Sequence, residues 1–344
     1  MAIASGATAV VSADDFEIPL VDFAAFREGD AKTKAETARS ILSGFQQAGF
    51  IYLQNHGISN ATVSKAFEDS AKFFKRPLAQ KEDLAWTSPE SNRGYVRQGK
   101  ENLASETAKG DVDAEKQQEP ECKDLKETMN IGREGDCFEN HWPDSFDDEG
   151  KLFRSNMLSF FDQCQLLNIE IMRAIAIGLG LQANWFDSFC DAANNNLRLL
   201  HYPEVSADVF QKNKLEVRAG AHTDYGSITL LFQDMAGGLQ VQTPDGSFID
   251  ATPIPDTVIV NAGDMLARWS NDTIKSTKHR VVEPPANSQK KQTHPARYSI
   301  AYFCITNADS LIEAIPGTYG DVRDKKYPGI KSGEYLVQRL AATF

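Results

Sequence analysis

The chain is poor in the residues that mark a cross-linked, membrane-spanning or nucleic-acid-binding protein. Its 344 residues include five cysteines, Cys122, Cys137, Cys164, Cys190 and Cys304, and no C-x-x-C pair. An odd, scattered set is neither a disulfide framework nor a structural zinc motif, and it suggests reduced thiols in a reducing compartment. No run approaches the roughly 20 apolar residues that cross a bilayer. Lys and Arg (36) are outnumbered by Asp and Glu (48), giving a net charge of −12. That balance excludes the basic footprint of a phosphate-backbone binder. Met1 to Asp15 has no basic segment ahead of an apolar one, and Ala341-Ala-Thr-Phe344 is no peroxisomal address, so the cytosol is the expected location. The expected partner is a small molecule, with no nucleic acid and no membrane. The oligomeric state stays open.

What is present is the composition of an ordinary globular chain, 41% hydrophobic and 24% charged. The spacing predicts a strand at Ile18–Phe23 and a helix over 31–48 with Ile41, Leu42 and Phe45 on one face. A second strand at 49–54 ends in the turn signal Asn55-His-Gly57, and a second helix over 60–75 stops before Pro77. Residues 151–181 repeat large apolar side chains at helical spacing and read as one or two long helices backing a sheet. After Asn196 the pattern turns to short runs, 197–202, 227–232, 238–242, 257–261, 279–283 and 298–305, separated by Gly, Pro, Asn and Asp. Strands of this spacing, without βαβ alternation, predict a mixed α and β fold. Its core would be a double-stranded β-helix, or jelly roll, with an N-terminal helical region and long supporting helices.

The expected organisation is a disordered N-terminal tail at 1–16 and a helical and strand region at 17–140. A polar stretch at 99–126 is read there as a mobile lid or insertion. The jelly-roll core and its backing helices would follow at 150–310, with a C-terminal segment at 311–344 packing on the core.

Histidine is scarce, with six residues, and only His222 is followed two residues later by a carboxylate, in His222-Thr-Asp224. On a strand that spacing puts both side chains on one face. His279 lies far enough downstream to sit on a neighbouring strand. Two imidazoles and one carboxylate cap one face of a metal and leave the other open, the donor set of non-haem Fe(II) oxygenases rather than of closed zinc sites. Arg297 and Ser299 share a strand face beyond His279. A planar guanidinium forks onto a carboxylate, a hydroxyl adds a donor, and Tyr202 can supply a third.

These residues stand in longer runs: Asn196-Leu-Arg-Leu-Leu-His-Tyr-Pro203, His222-Thr-Asp-Tyr-Gly-Ser-Ile-Thr-Leu230, Asn261-Ala-Gly-Asp-Met-Leu-Ala-Arg-Trp-Ser-Asn271 and Lys278-His-Arg-Val-Val282. Together they resemble the 2-oxoglutarate- and Fe(II)-dependent dioxygenases, in the isopenicillin N synthase-like branch. Ile18-Pro-Leu-Val-Asp22, Gly44-Phe-Gln-Gln-Ala-Gly-Phe50 and Asn55-His-Gly57 extend the resemblance over residues 17 to 343. Leu230-Leu-Phe-Gln-Asp234, Ile312-Glu-Ala-Ile-Pro-Gly-Thr-Tyr319 and Tyr335-Leu-Val-Gln-Arg-Leu-Ala-Ala-Thr-Phe344 are similar to the fungal thymine dioxygenases.

The resemblance implies Fe(II) held by His222, Asp224 and His279, with 2-oxoglutarate and dioxygen as co-substrates. The distal 2-oxoglutarate carboxylate would rest on Arg297 and Ser299 beside Tyr202. It implies an oxidoreductase that hydroxylates a small planar ring, at a methyl group, as thymine 7-hydroxylases do. Asn195, Tyr225, Phe303 and Arg198 are the expected substrate contacts, two rings sandwiching a flat heterocycle while Asn195 reads its polar edge. Three alternatives stand beside this reading: a fungal secondary-metabolite dioxygenase acting on an aromatic polyketide, an oxidase that uses no 2-oxoglutarate, and a non-catalytic jelly-roll binding protein.

Overall fold

A computed structural model describes residues 7–13, 16–100, 124–206, 218–283 and 293–343. Its strands, in chain order, are β1 (Ala7–Ala13), β2 (Phe16–Asp22), β3 (Phe50–Gln54), β4 (Gly94–Val96), β5 (Glu127–Gly132), β6 (Asn196–Tyr202), β7 (Val205–Ser206), β8 (Ala219–His222), β9 (Ile228–Gln233), β10 (Leu239–Gln242), β11 (Phe248–Asp250), β12 (Thr257–Ala262), β13 (His279–Val281), β14 (Thr293–His294), β15 (Arg297–Cys304), β16 (Leu311–Ile312) and β17 (Ile330–Lys331). Among the described residues, one sheet runs β1-β2-β3-β12-β9-β15-β6-β5-β4 and a smaller one runs β11-β10-β13-β8. This is the expected jelly-roll core.

Both faces of the large sheet are covered, and alternation along each strand sorts the side chains between them. On β15, Ile300, Tyr302 and Cys304 join the core under the helices, whereas Arg297, Ser299, Ala301 and Phe303 line cavities on the other face. On β9, Ile228, Leu230 and Phe232 face the helices, and Thr229 and Leu231 face the cavity. A second core of Phe50, Tyr52, Leu239, Val241, Ile259 and Val281 joins the inner faces of the two sheets.

The backing helices follow from the apolar spacing. The long helix is one element, Asp148–Gly178, capped by the Asp147 carboxylate, which accepts from Gly150 N at 2.7 Å. Phe160 and Phe161 from this helix meet Phe232 and Tyr302 of the sheet at ring-centroid distances of 5.2 and 5.0 Å. Each such buried ring contributes roughly 1.5–3 kcal/mol relative to exposure, which is what docks the helix. Helices Ala31–Gln47 and Asn60–Phe74 complete the layer.

Two expectations need correction. Residues 7–13 of the supposed tail form β1, paired antiparallel with β2, because that edge of β2 offers unpaired backbone to a short β-prone segment. In the N-terminal region, β1 to β5 extend the same large sheet that holds β9 and β15. Of the polar stretch at 99–126, residues 101–123 lie outside the described residues, but Asp124 and Lys126 are buried at 1% and 3% exposure. Their side chains form an ion pair at 2.6 Å, and Asp124 also accepts from Gly220 N at 3.2 Å, so this end of the stretch belongs to the core.

Candidate active site

His222 ends β8 and His279 begins β13, and the two strands pair with these residues directly opposite. Their rings stand 4.4 Å apart between centroids. Asp224 is not on the strand, as the two-residue spacing suggested, but in the loop beyond its end. The loop turns back onto helix Asp264–Trp269, where Asp264 N donates to Asp224 O at 2.7 Å and Gly263 N to Ser227 O at 2.9 Å. Nε2 of His222 and of His279 lie 4.0 and 3.8 Å from Asp224 Oδ1, and the three ligand atoms all fall within 4.8 Å of one another. No other such group occurs among the described residues.

The remaining polar atoms of these side chains are already engaged. Nδ1 of His222 faces Gly220 O at 2.7 Å and Nδ1 of His279 faces Thr277 O at 3.2 Å. Donation there leaves Nε2 of each ring as the free lone pair. Asp224 Oδ2 accepts from Thr229 Oγ1 at 2.6 Å and from Asn261 Nδ2 at 2.7 Å, which leaves Oδ1 to face the imidazoles. Burial, then the neighbouring His279, pulls the His222 pKa down to about 3, so the ring is neutral near pH 7. Burial alone would raise Asp224, but His279, His222, Asn261 and Thr229 outweigh it and hold the carboxyl below its ordinary range. Neutral imidazole and ionised carboxylate are the protonation states a divalent metal needs. The donor set fits Fe(II).

Deeper between the sheets, Arg297 and Ser299 face the same cavity as Tyr202, with Arg297 opposite Tyr202 in register. Arg297 is 1% exposed, and its hydrogen bonds go to Gly237 O (2.9 Å), Ser299 Oγ (3.1 Å) and Gln233 Oε1 (3.4 Å), all neutral groups. Its guanidinium lies 4.9 Å over the Tyr202 ring. A buried cation with neutral partners is costly until an anion joins it. The end of the cavity beside Arg297 therefore suits a carboxylate. Lys126 also lines this cavity, which sequence reasoning missed because the residue closes a polar, lid-like stretch.

The adjoining cavity is walled by Asn92, Asn196, Arg198, Tyr225, Phe303, Leu336 and Leu340 together with His222 and Asp224. Tyr225, Phe303 and Arg198 thus line a cavity that adjoins the candidate ligands. Arg198 donates Nε–H to Asn130 Oδ1 at 2.7 Å and lies 5.5 Å over the Phe303 ring. Asn195 does not reach the cavity. Its side chain donates to Tyr302 OH at 2.9 Å and to Gln165, and accepts from Ile305 N at 2.8 Å, on the helix side. Asn196 takes its place: 2% exposed, it donates to Asn92 O at 2.9 Å, and its Oδ1 has no hydrogen-bond partner among the described residues. Strand alternation could have found this, because Asn196, Arg198 and Tyr202 share one parity and Asn195 does not. Thr229 and Asn261 were missed too, their only sequence signal being even spacing from cavity-facing neighbours.

A model of the 2OG-Fe(II) oxygenase superfamily matches residues 193–306, and one for the N-terminal region of a non-haem dioxygenase in morphine synthesis matches residues 18–145. The chain is 33% identical over 330 residues to a 2-oxoglutarate-Fe(II) type oxidoreductase of Metarhizium rileyi, covering 94% of this chain and 90% of the relative. It is 32% identical to a proline hydroxylase of Petromyces alliaceus, covering 95% and 100%. The solved Neurospora crassa thymine 7-hydroxylase in complex with α-ketoglutarate and thymine superposes with a TM-score of 0.88 at 56% identity, covering 98% of this chain and all of the other.

Proposed function

We propose that this chain, which belongs to the 2OG-Fe(II) oxygenase superfamily, hydroxylates the methyl group of a thymine-like pyrimidine. It is a 2-oxoglutarate-dependent non-haem iron dioxygenase, an oxidoreductase whose co-substrates are 2-oxoglutarate and dioxygen. Iron with 2-oxoglutarate and dioxygen supplies the oxidising power, releasing succinate and carbon dioxide as one oxygen atom goes into a substrate C–H bond.

In this reading His222 Nε2, Asp224 Oδ1 and His279 Nε2 hold the iron. The observation that carries it is that these atoms converge while the other donor and acceptor atoms of the same side chains are already satisfied. Arg297 and Ser299 receive the distal carboxylate of 2-oxoglutarate beside Tyr202, which gives the buried guanidinium an anion where its partners among the described residues are neutral. The clamp and the three candidate ligands line one cavity, so a diacid held at the metal end would turn its second carboxylate toward Arg297.

The substrate would lie between Tyr225 and Phe303, with the unpaired Asn196 Oδ1 accepting from a ring N–H and Arg198 facing a carbonyl. The cavity is small, about 70 Å³, which disfavours a fused polyketide. The 56% identity to a thymine-binding relative, against 32–34% to several fungal dioxygenases and hydroxylases, points the same way.

The test is thymine-dependent succinate formation by the iron-loaded protein, with 5-hydroxymethyluracil as the expected product. His222→Ala and Asp224→Ala should bind no iron and form no succinate while keeping the wild-type circular dichroism. Turnover by Asp224→Ala would refute the ligand assignment. Inactivity on thymine with activity on a phenolic polyketide would refute the substrate assignment alone.

A further inference from the structure

The C-terminal helix, Ser332–Thr343, puts Leu336 and Leu340 into the wall of the substrate cavity, opposite Asn196 and Phe303. Its adjoining residue Arg339 reaches inward: its guanidinium lies 4.6 Å over the Tyr225 ring, and Nη1 pairs with Asp264 Oδ2 at 3.1 Å. Asp264 Oδ2 also accepts from Thr223 Oγ1 at 3.0 Å, and Oδ1 accepts from Ser276 Oγ at 2.6 Å. Thr223 stands between His222 and Asp224, and Ser276 three residues before His279. Thus one carboxylate gathers the segment that carries two candidate ligands, the segment leading to the third, and the helix that walls the cavity.

We propose that Asp264 is a positioning residue that latches the C-terminal helix over the substrate cavity through Arg339 and, by the same carboxylate, sets the two segments that carry the iron ligands. The proposal rests on the ligand assignment above. A carboxylate with three donors from three segments fixes their mutual positions more tightly than a surface ion pair fixes two. The latch can also open. Asp264, Tyr335 and Arg339 border a groove of about 700 Å³ on the outer side of the molecule, and the Arg339 side chain is 32% exposed. Release of the helix would admit substrate past Leu336 and Leu340, and re-formation of the pair would exclude water and seat Tyr225 against the substrate ring.

The experiment compares Arg339→Gln, Arg339→Lys, Asp264→Asn and the double variant Asp264→Asn/Arg339→Gln on the full chain. Hydrogen exchange of the 333–343 amides, which needs neither iron nor substrate, is read against the helix Asp148–Gly178 as internal control. Arg339→Gln should raise exchange in the C-terminal helix about tenfold and leave the control unchanged, with Arg339→Lys partly restored. The double variant should loosen the helix no more than the worse single one. With iron and 2-oxoglutarate, Arg339→Gln and Asp264→Asn should each lower the ratio of hydroxylated thymine to succinate. Asp264→Asn, which also meets Thr223 and Ser276, should in addition weaken Fe(II) binding about tenfold. Unchanged exchange in Arg339→Gln would overturn the latch. Raised exchange with unchanged product ratio and iron affinity would reduce the pair to a structural contact and overturn its positioning role. Failure of His222→Ala to lose iron would instead strike the ligand assignment, and inactivity of the wild type on thymine only the substrate.

Discussion

At the scale of the residue, the candidate metal centre is decided as much by the partners of its side chains as by the side chains themselves. His222, Asp224 and His279 are readable from spacing, because few side-chain pairs offer an imidazole and a carboxylate two residues apart. Thr229 and Asn261 are not readable that way, since a Thr and an Asn in β-like runs are common everywhere. Their role depends on reaching Asp224 Oδ2 from β9 and β12, strands that are neighbours only in the folded sheet. Removing either donor leaves a buried carboxylate oxygen short of a hydrogen bond and frees the group to rotate. Asn261→Ala and Thr229→Val should each weaken Fe(II) binding about 10- to 100-fold. Anaerobic iron titration checks this; unaltered affinity in both variants would contradict the role given to these donors. The misplaced Asn195 was a failure of parity, not of chemistry.

At the scale of the element, the loop that carries Asp224 depends on two glycines packed against backbone. A Cβ on Gly263 would lie 2.4 Å from Gly226 O and 2.9 Å from Asp224 O, and one on Gly226 would lie 2.4 Å from Cys304 O. Neither position has a flexible side chain that could give way. Gly263→Ala should therefore push the Asp224 loop off helix Asp264–Trp269, costing about 1–3 kcal/mol of stability. Iron affinity should fall with it, because the same displacement moves Asp224. Thermal melting with iron titration tests the pair of effects; normal affinity in a destabilised variant would separate the loop from the site. The sequence shows both glycines in Asp224-Tyr-Gly226 and Ala262-Gly-Asp264 but not that their loops touch. The long helix was more legible, its apolar period running through 31 residues. So were the strands β3, β6, β9 and β12. Strand β8 was not, because Ala219-Gly-Ala-His222 has none of the branched or aromatic residues that announce a strand.

At the scale of the whole molecule, the cavity between the sheets couples the site to folding through pH. Burial drives the His222 pKa to about 3 and also lowers that of His56, so both are neutral in the fold and protonate near 6.5 when unfolded. A histidine whose folded pKa is depressed contributes stability that is complete above its unfolded pKa. That stability is lost as pH falls below it, where the unfolded chain binds more protons. The iron-free protein should therefore melt at progressively lower temperature from pH 7.5 to 5.5. Scanning calorimetry at several pH values tests this; a melting temperature indifferent to pH across that window would contradict the burial of neutral histidine.

Taken alone, the sequence determined which chemistry the chain carries, because the candidate ligands, the Arg297-x-Ser299 pair and the longer runs around them that resemble a known family are local properties of the text. It determined too that a β core is backed by helices, since periods of 2 and 3.6 residues are written along the chain. Tertiary structure decided the rest: that Asp224 is aimed by a loop rather than a strand, that Lys126 lines the cavity, and that Arg339 closes on Asp264. The physical reason is common to these. Each depends on contacts between segments distant along the chain, and only the pairing and packing of the two sheets bring them within hydrogen-bond distance.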